Sequence, residues 1–254
     1  MRGIEDALSP AGYMPLFVSG DWKLSEEERC LETLLSRRVD GVIVLAGRLS
    51  DRALQASART VPMVVIGRSL KGPRLFGLNF DNVEGGRLAA QHLIDCGHTR
   101  IAFITGDPDH RDSLERHRGY RLALDAARIP YDASLVVTGD YLEAGGLMAV
   151  NQLIEKRRDF TAIFAANDQS AIGAMLGLHK RGLRVPDDIS MVGFDDVSFA
   201  KYSIPPLTTV RHPIYEIGRL SAMAICDMLR GAAPAAQLPP PHLVVRESTR
   251  RLRR

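Results

Sequence analysis

Short apolar runs alternate with amphipathic stretches from one end of the chain to the other, and this limits its fold more than any other feature. The runs Met14–Ser19, Gly41–Leu45, Pro62–Ile66, Ile101–Ile104, Val136–Thr138, Ala162–Ala165 and Ser190–Gly193 are continuously apolar rather than alternating. Strands of that kind are covered on both faces. Helical patterns fill the intervals. Ser25-Glu26-Glu27-Glu28 reads as a capping box opening a helix to about Arg38. Leu88, Ala89, His92, Leu93 and Cys96 form a stripe closed by Gly97, and Ile214, Ile217, Gly218, Ser221, Ile225 and Met228 form another closed by Gly231. Alternating βα units predict parallel, doubly wound sheets whose ligands sit outside the carboxyl ends of the strands.

The units fall into two groups. Asn79-Phe80-Asp81-Asn82 interrupts the first, and the second runs to about Arg211. A long helix over 213–230, an Ala-Pro linker, Pro239-Pro240-Pro241 and a short strand Leu243–Arg246 follow. A helix succeeded by one more strand implies that the chain revisits both lobes. The expected division is 1–81 plus 212–240 for one lobe, 82–211 plus 241–249 for the other, and a basic tail over 250–254. Two doubly wound α/β lobes joined by three crossings form a hinged clamp suited to a small molecule. The chain begins on a helix, Arg2 to Ala11, where a βαβ lobe normally begins on a strand. Because the first strand of such a sheet is central, the expectation is a truncated start with that strand missing.

Charge narrows the function. The net charge of +3 disappears once Arg250, Arg251, Arg253 and Arg254 are set aside, leaving a body with one basic residue fewer than acidic. A globular surface that grips nucleic acid carries a basic excess, and this body has none. No apolar run approaches the ~20 residues of a membrane span. Cys30, Cys96 and Cys226 are far apart and suggest neither a disulfide framework nor a thiolate metal site. With no secretory signal at the start, reduced thiols in a cytoplasmic protein are expected.

The usual nucleotide, hydrolase and zinc-protease motifs do not occur. Asp107, Asp109 and His110 lie in a Gly-Asp-Pro-Asp turn, which explains them more simply than metal ligation. Asp195 and Asp196 lack an accompanying nucleophile, so an enzyme is disfavoured, and neither a cofactor nor a metal is expected. A positional pattern is more telling. Arg68, Arg116, Tyr141, Asn167 and Asp195 each follow a predicted strand, and His212 stands at the third crossing. A guanidinium, an aromatic face, an amide and a carboxylate together suit vicinal hydroxyls and the apolar face of a sugar. That is a binding constellation.

Five segments then occur in order: Arg37-Arg38-Val39-Asp40-Gly41-Val42-Ile43, Gly97-His98-Thr99-Arg100-Ile101-Ala102, Val192-Gly193-Phe194-Asp195-Asp196, Pro206-Leu207-Thr208-Thr209-Val210 and Arg246-Glu247-Ser248-Thr249. Through them nearly the whole chain resembles the effector-binding region of the LacI/GalR family of bacterial transcription regulators. The resemblance implies two periplasmic-binding-protein-like lobes of type I, a small-molecule effector between them, and a homodimer. It puts Arg116, Tyr141, Asn167 and Asp195 at effector-contacting positions. Arg68 matches the second residue of an Asp-Arg type pair, with Gly67 where the carboxylate often stands. His212 occupies a position where glutamine is common, and His110 lies in a nearby loop. A sugar or sugar derivative is the first expectation and a nucleoside the second. The family's helix-turn-helix headpiece has no counterpart before Met1, so operator DNA would be reached only through residues outside this sequence. Self-association is expected through the helix Asn82–Gly97 and the outer helices of the first lobe. A solute-binding receptor of a transport system shares the fold and is the alternative.

Overall fold

The apolar runs become strands wherever a neighbouring strand completes their hydrogen bonds. A computed structural model of the protein describes residues 1–45, 47–156 and 159–252. The chain divides into two compact units, Met1–Phe80 with Pro213–Pro239, and Asp81–His212 with Pro240–Arg254. It passes from one to the other after Phe80, after His212 and after Pro239.

The first unit opens with α1 (Arg2–Leu8), a shorter helix than the expected run to Ala11, because Ser9–Ala11 tighten into a 3-10 turn around Pro10. Then come α2 (Leu24–Ser36), β1 (Val42–Leu45), α3 (Asp51–Ser57), β2 (Met63–Ile66), β3 (Lys71–Gly72) and β4 (Leu75–Leu78). The sheet order is β1-β2-β4-β3, parallel except for β3 against β4. Leu31 of α2 and Leu54 of α3 pack with Val42, Met63 and Val65 in its core.

Two expectations fail in this unit. Met14–Ser19 forms no strand; no neighbouring strand pairs with it, and Met14 is 94% exposed. The capping box does not form either. α2 starts two residues earlier, behind Lys23, which caps nothing with its side chain. Glu27 accepts the N–H groups of Arg48 at 2.7 Å and Leu49 at 3.1 Å, satisfying loop amides beyond β1. The hairpin β3–β4 passed unnoticed because its strands are short and interrupted by glycine and arginine.

The second unit runs α4 (Asn82–Asp95), β5 (Ile101–Ile104), α5 (Arg111–Ala126), β6 (Val136–Val137), α6 (Glu143–Glu155), β7 (Ala162–Ala165), α7 (Asp168–Lys180), β8 (Ser190–Asp195) and β9 (Thr208–Arg211). The chain then gives α8 (Ile214–Leu229) to the first unit, where it packs on α1, and returns as β10 (His242–Val244). The order is β10-β9-β8-β7-β5-β6, with β10 antiparallel and the rest parallel. β5 and β7 are buried at every position, as their continuous apolar sequence demands. Gly97, at φ +90°, ends the last turn before β5 as its sequence position suggested.

The late motifs hold this unit together. Ser248 Oγ accepts from Thr208 N at 2.8 Å and donates to Met191 O at 2.6 Å. Arg246 reaches Leu207 O at 2.8 Å and also pairs with Asp196. The first residues of the arginine-rich end are also held: Arg250 N donates to Ser190 Oγ at 3.1 Å, and Leu252 N to Cys96 O at 2.8 Å. Arg253 and Arg254 lie outside the described residues.

Candidate functional site

In a doubly wound sheet the loops that leave the carboxyl ends of adjacent strands converge, and the place where the winding reverses is open. The reversal here falls between β5 and β7. His212 follows β9, Asp195 ends β8, Asn167 follows β7, Arg116 lies on the helix after β5, and Tyr141 follows β6. Five adjacent strands therefore carry five of the expected site residues in spatial order.

Arg116 is the centre of the cluster. Its side chain is almost wholly buried, and its Nε donates to Asn82 Oδ1 at 2.9 Å while Nη1 donates to Ala166 O at 2.6 Å. The guanidinium carbon lies 3.7 Å from the centroid of the Phe194 ring, close enough for a cation–π contact. Asp195 Oδ1 is 3.5 Å from Arg116 Nη1 and also 3.5 Å from His212 Nδ1. Asp195 and Asp196 do not act as a pair, since Asp196 turns to Arg246. Both have positive φ, +106° and +56°, conformations that L-residues rarely hold unless their surroundings fix them.

The aromatic half of the site is joined to the rest through Asn167. Its Nδ2 donates to Tyr141 O at 2.8 Å, and its Oδ1 accepts from Ser170 N at 2.9 Å, capping α7. The Tyr141 ring lies 5.9 Å from Arg116 Cζ and 5.5 Å from the His110 ring. Burial pushes the Tyr141 phenol up to about 12. Its hydroxyl meets Ser113 but lacks a hydrogen bond of ordinary geometry. His110 begins α5, beyond a turn closed by Asp109 N on Asp107 Oδ1 at 2.8 Å. That bond gives Asp107 a structural role in the turn.

Arg68 belongs to the first unit, where Asp51 receives its Nη1 at 2.7 Å and Gly47 O its Nη2 at 2.6 Å. The other six site residues lie in the second unit.

Three residues important to this arrangement gave little signal in sequence. Asn82 looked like part of a boundary, yet it fixes Arg116. Phe194, just past the expected strand Ser190–Gly193, lies under the guanidinium. Asp168 opens α7. Its carboxylate is fully buried, with Oδ1 accepting from Thr209 Oγ1 at 2.6 Å and Oδ2 from Val197 N at 2.9 Å. Burial raises its pKa to about 7, with the charges of Asp195 and Asp196 adding to the effect. Gly193 makes room for it, since a Cβ there would lie 2.3 Å from Asp168 Oδ1.

Residues 90–249 match the model of a periplasmic binding protein-like domain. The HTH-type transcriptional regulator CelR of Thermobifida fusca is 38% identical over 251 residues, which are 97% of this chain and 74% of that protein. The structure of a LacI family transcriptional regulator from Enterococcus faecium with bound ribose superposes with a TM-score of 0.87 at 28% identity, covering 99% of this chain and 93% of the other. The chain belongs to the LacI family. Its span corresponds to the effector-binding region of these regulators. A further LacI-family neighbour, the CelR–cellobiose complex, is 37% identical with a TM-score of 0.86, covering 97% of this chain and 76% of that one. The relatives are regulators of transcription. No helix among the described residues is long and apolar enough to cross a membrane.

Proposed function

We propose that this region senses a sugar for a LacI-type regulator, with Arg116, Tyr141, Asn167, Asp195, His212 and His110 meeting the ligand and Arg68 contributing from the first unit. The observation that carries the reading is the continuous chain of contacts His212–Asp195–Arg116–Tyr141–Asn167 at the strand ends. Asp195 supplies an acceptor for paired hydroxyls. Arg116 keeps Nη2 outside the two hydrogen bonds that fix it, so this nitrogen remains to reach a ligand oxygen. Tyr141 offers an aromatic face. No group in this set is asked to make or break a bond. Sugars are favoured over nucleosides because similar regulators have been solved with cellobiose and ribose bound.

Binding then acts by differential affinity for two arrangements of the units, and in an intact homodimeric regulator it would reach operator DNA through a headpiece outside this sequence. A cytoplasmic location follows from that role. Calorimetric titration with cellobiose, ribose and adenosine tests the reading. Asp195→Asn should weaken the preferred sugar at least roughly tenfold, about 1.5 kcal/mol, as expected for a lost charged hydrogen bond. Unchanged affinity in that variant, or preference for adenosine, would count against the sugar site.

A further inference from the structure

The chain leaves β8 through two successive residues of positive φ, Asp195 at +106° and Asp196 at +56°. Neither is glycine, so the turn persists only because its surroundings over-determine it. Three bonds hold it. Arg246 pairs with Asp196, and His212 N donates to Asp195 O at 3.2 Å. Val197 N, the first amide beyond the strained pair, donates to Asp168 Oδ2 at 2.9 Å. The last acceptor belongs to a residue wholly shut off from water.

Asp168 is itself fixed at a junction of three elements. It opens α7 beside the capping residue Asn167, and its Oδ1 accepts from Thr209 Oγ1 at 2.6 Å. Thr209 of β9 pairs in register with Gly193 of β8, and Gly193 has no Cβ to fill the place that the carboxyl group takes. One carboxyl group from α7 thus ties β9 to the turn that presents Asp195.

Charge makes this tie sensitive to protons. The two partners of Asp168 are uncharged donors. The neighbouring cations answer the other aspartates. Arg116 and His212 each lie 3.5 Å from Asp195, while Arg246 pairs with Asp196 and Arg211 Nε lies 4.0 Å from it. Burial, helped by the charges of Asp195 and Asp196, opposes ionisation of Asp168 and holds its pKa at about 7. A ligand laid over Asp195 displaces the water that screens these like charges, so the bound protein keeps the Asp168 proton more tightly than the free one.

We propose, building on the reading of this site as a sugar sensor, that Asp168 is its positioning residue: through Val197 and Thr209 it holds the Asp195–Asp196 turn, and the sugar binds better when the Asp168 carboxyl group is neutral.

The first test needs no ligand. In isotopically labelled protein the amide resonances of Asp195, Asp196 and Val197 should move together, with a midpoint near pH 7. That movement should vanish in Asp168→Asn and survive in His212→Gln. Resonances that stay fixed, or that follow His212 instead, would overturn the proposal. The second test is calorimetry with cellobiose and ribose from pH 6 to pH 8, in two buffers of different ionisation enthalpy. Affinity for the sugar that binds should fall about threefold or more across this range, with proton uptake on binding. Asp168→Ala should weaken binding at pH 6 by about tenfold or more. Asp168→Asn, which can keep both hydrogen bonds, should recover most of that loss while removing the pH dependence and the proton uptake. Weakened binding with an unaltered pH profile in Asp168→Asn is what a purely structural residue would give, and it would overturn the proposal too. Failure of both sugars to bind, with the amide titration as expected, would overturn the sugar reading and support the hold of Asp168 on the turn.

Discussion

Asp168 sits where a carboxylate is least comfortable as an anion, fully buried with two other aspartates nearby, and its pH response has a definite sign. Its folded pKa of about 7 lies above the ordinary value of 3.8, so the folded state holds this proton more tightly than the unfolded chain does. Its contribution to stability is therefore greatest below about pH 4 and falls as pH rises towards 7, by at most about 4 kcal/mol. His92, His98 and His117 act in the opposite sense, because burial lowers their pKa values and disfavours the charged rings at acid pH. The informative quantity is thus the difference between wild type and Asp168→Asn. The amide can still accept from Val197 N and donate to Thr209 Oγ1, so the variant should gain stability relative to wild type as pH rises from 4 to 7. Urea unfolding at several pH values measures this, and a difference independent of pH would contradict the assignment. Residues at the strand ends were readable as a binding set because each follows an apolar run. The roles of Asn82 and Asp168 were not, because each acts on a side chain more than 25 positions away, to which no local pattern points.

Elements show the same division between local and non-local information. β5 and β7 were legible to the residue because four apolar side chains in succession leave a buried strand little alternative. Met14–Ser19 carries an equally apolar pattern and forms no strand, because strand formation requires a partner that the segment itself cannot specify. The joining of α4 to α5 was also hidden. A Cβ on Gly86 would lie 2.3 Å from Arg116 O, and one on Gly119 2.1 Å from Val83 O, so these helices meet backbone to backbone. That close approach brings Asn82 of α4 to Arg116 of α5. Gly119→Ala should therefore cost about 2–4 kcal/mol through overpacking, and should also weaken sugar binding by moving Arg116 away from Asp195. Parallel denaturation and calorimetry distinguish the two effects. Loss of stability with full affinity would show that the helix contact is not what positions the guanidinium.

For the whole molecule, the amino-acid pattern announced two units and their three connections, and it led to an expectation of self-association through α4 and the outer helices of the first unit. The expected helix, α4, has no exposed residue from Asn82 to Ile94, since α5 and the sheet cover it. Exposed apolar side chains occur elsewhere on the second unit: Leu142 at the start of α6 and Met148 in its middle, Leu176 on α7, and Phe199, Tyr202 and Ile204 after β8. α6 packs on α7, and Ala200, next to Phe199, is buried in the same core as Ala171, Ala174 and Met175 of α7. Ile204, at 95% exposed, has almost no contact to lose within the chain. If the regulator is a homodimer, this patch is the face on which desolvation would stabilise it most. Leu176→Asp combined with Ile204→Asp should then raise the dimer dissociation constant by two orders of magnitude or more, roughly 3 kcal/mol, and leave the thermal unfolding of the monomer nearly unchanged. Sedimentation equilibrium over a wide concentration range reads this directly. Arg87→Glu on α4 should leave the constant within about twofold, as a substitution outside the patch. Dissociation by the α4 variant with persistence of the dimer in the double variant would move the interface back to the helix where the sequence alone had put it.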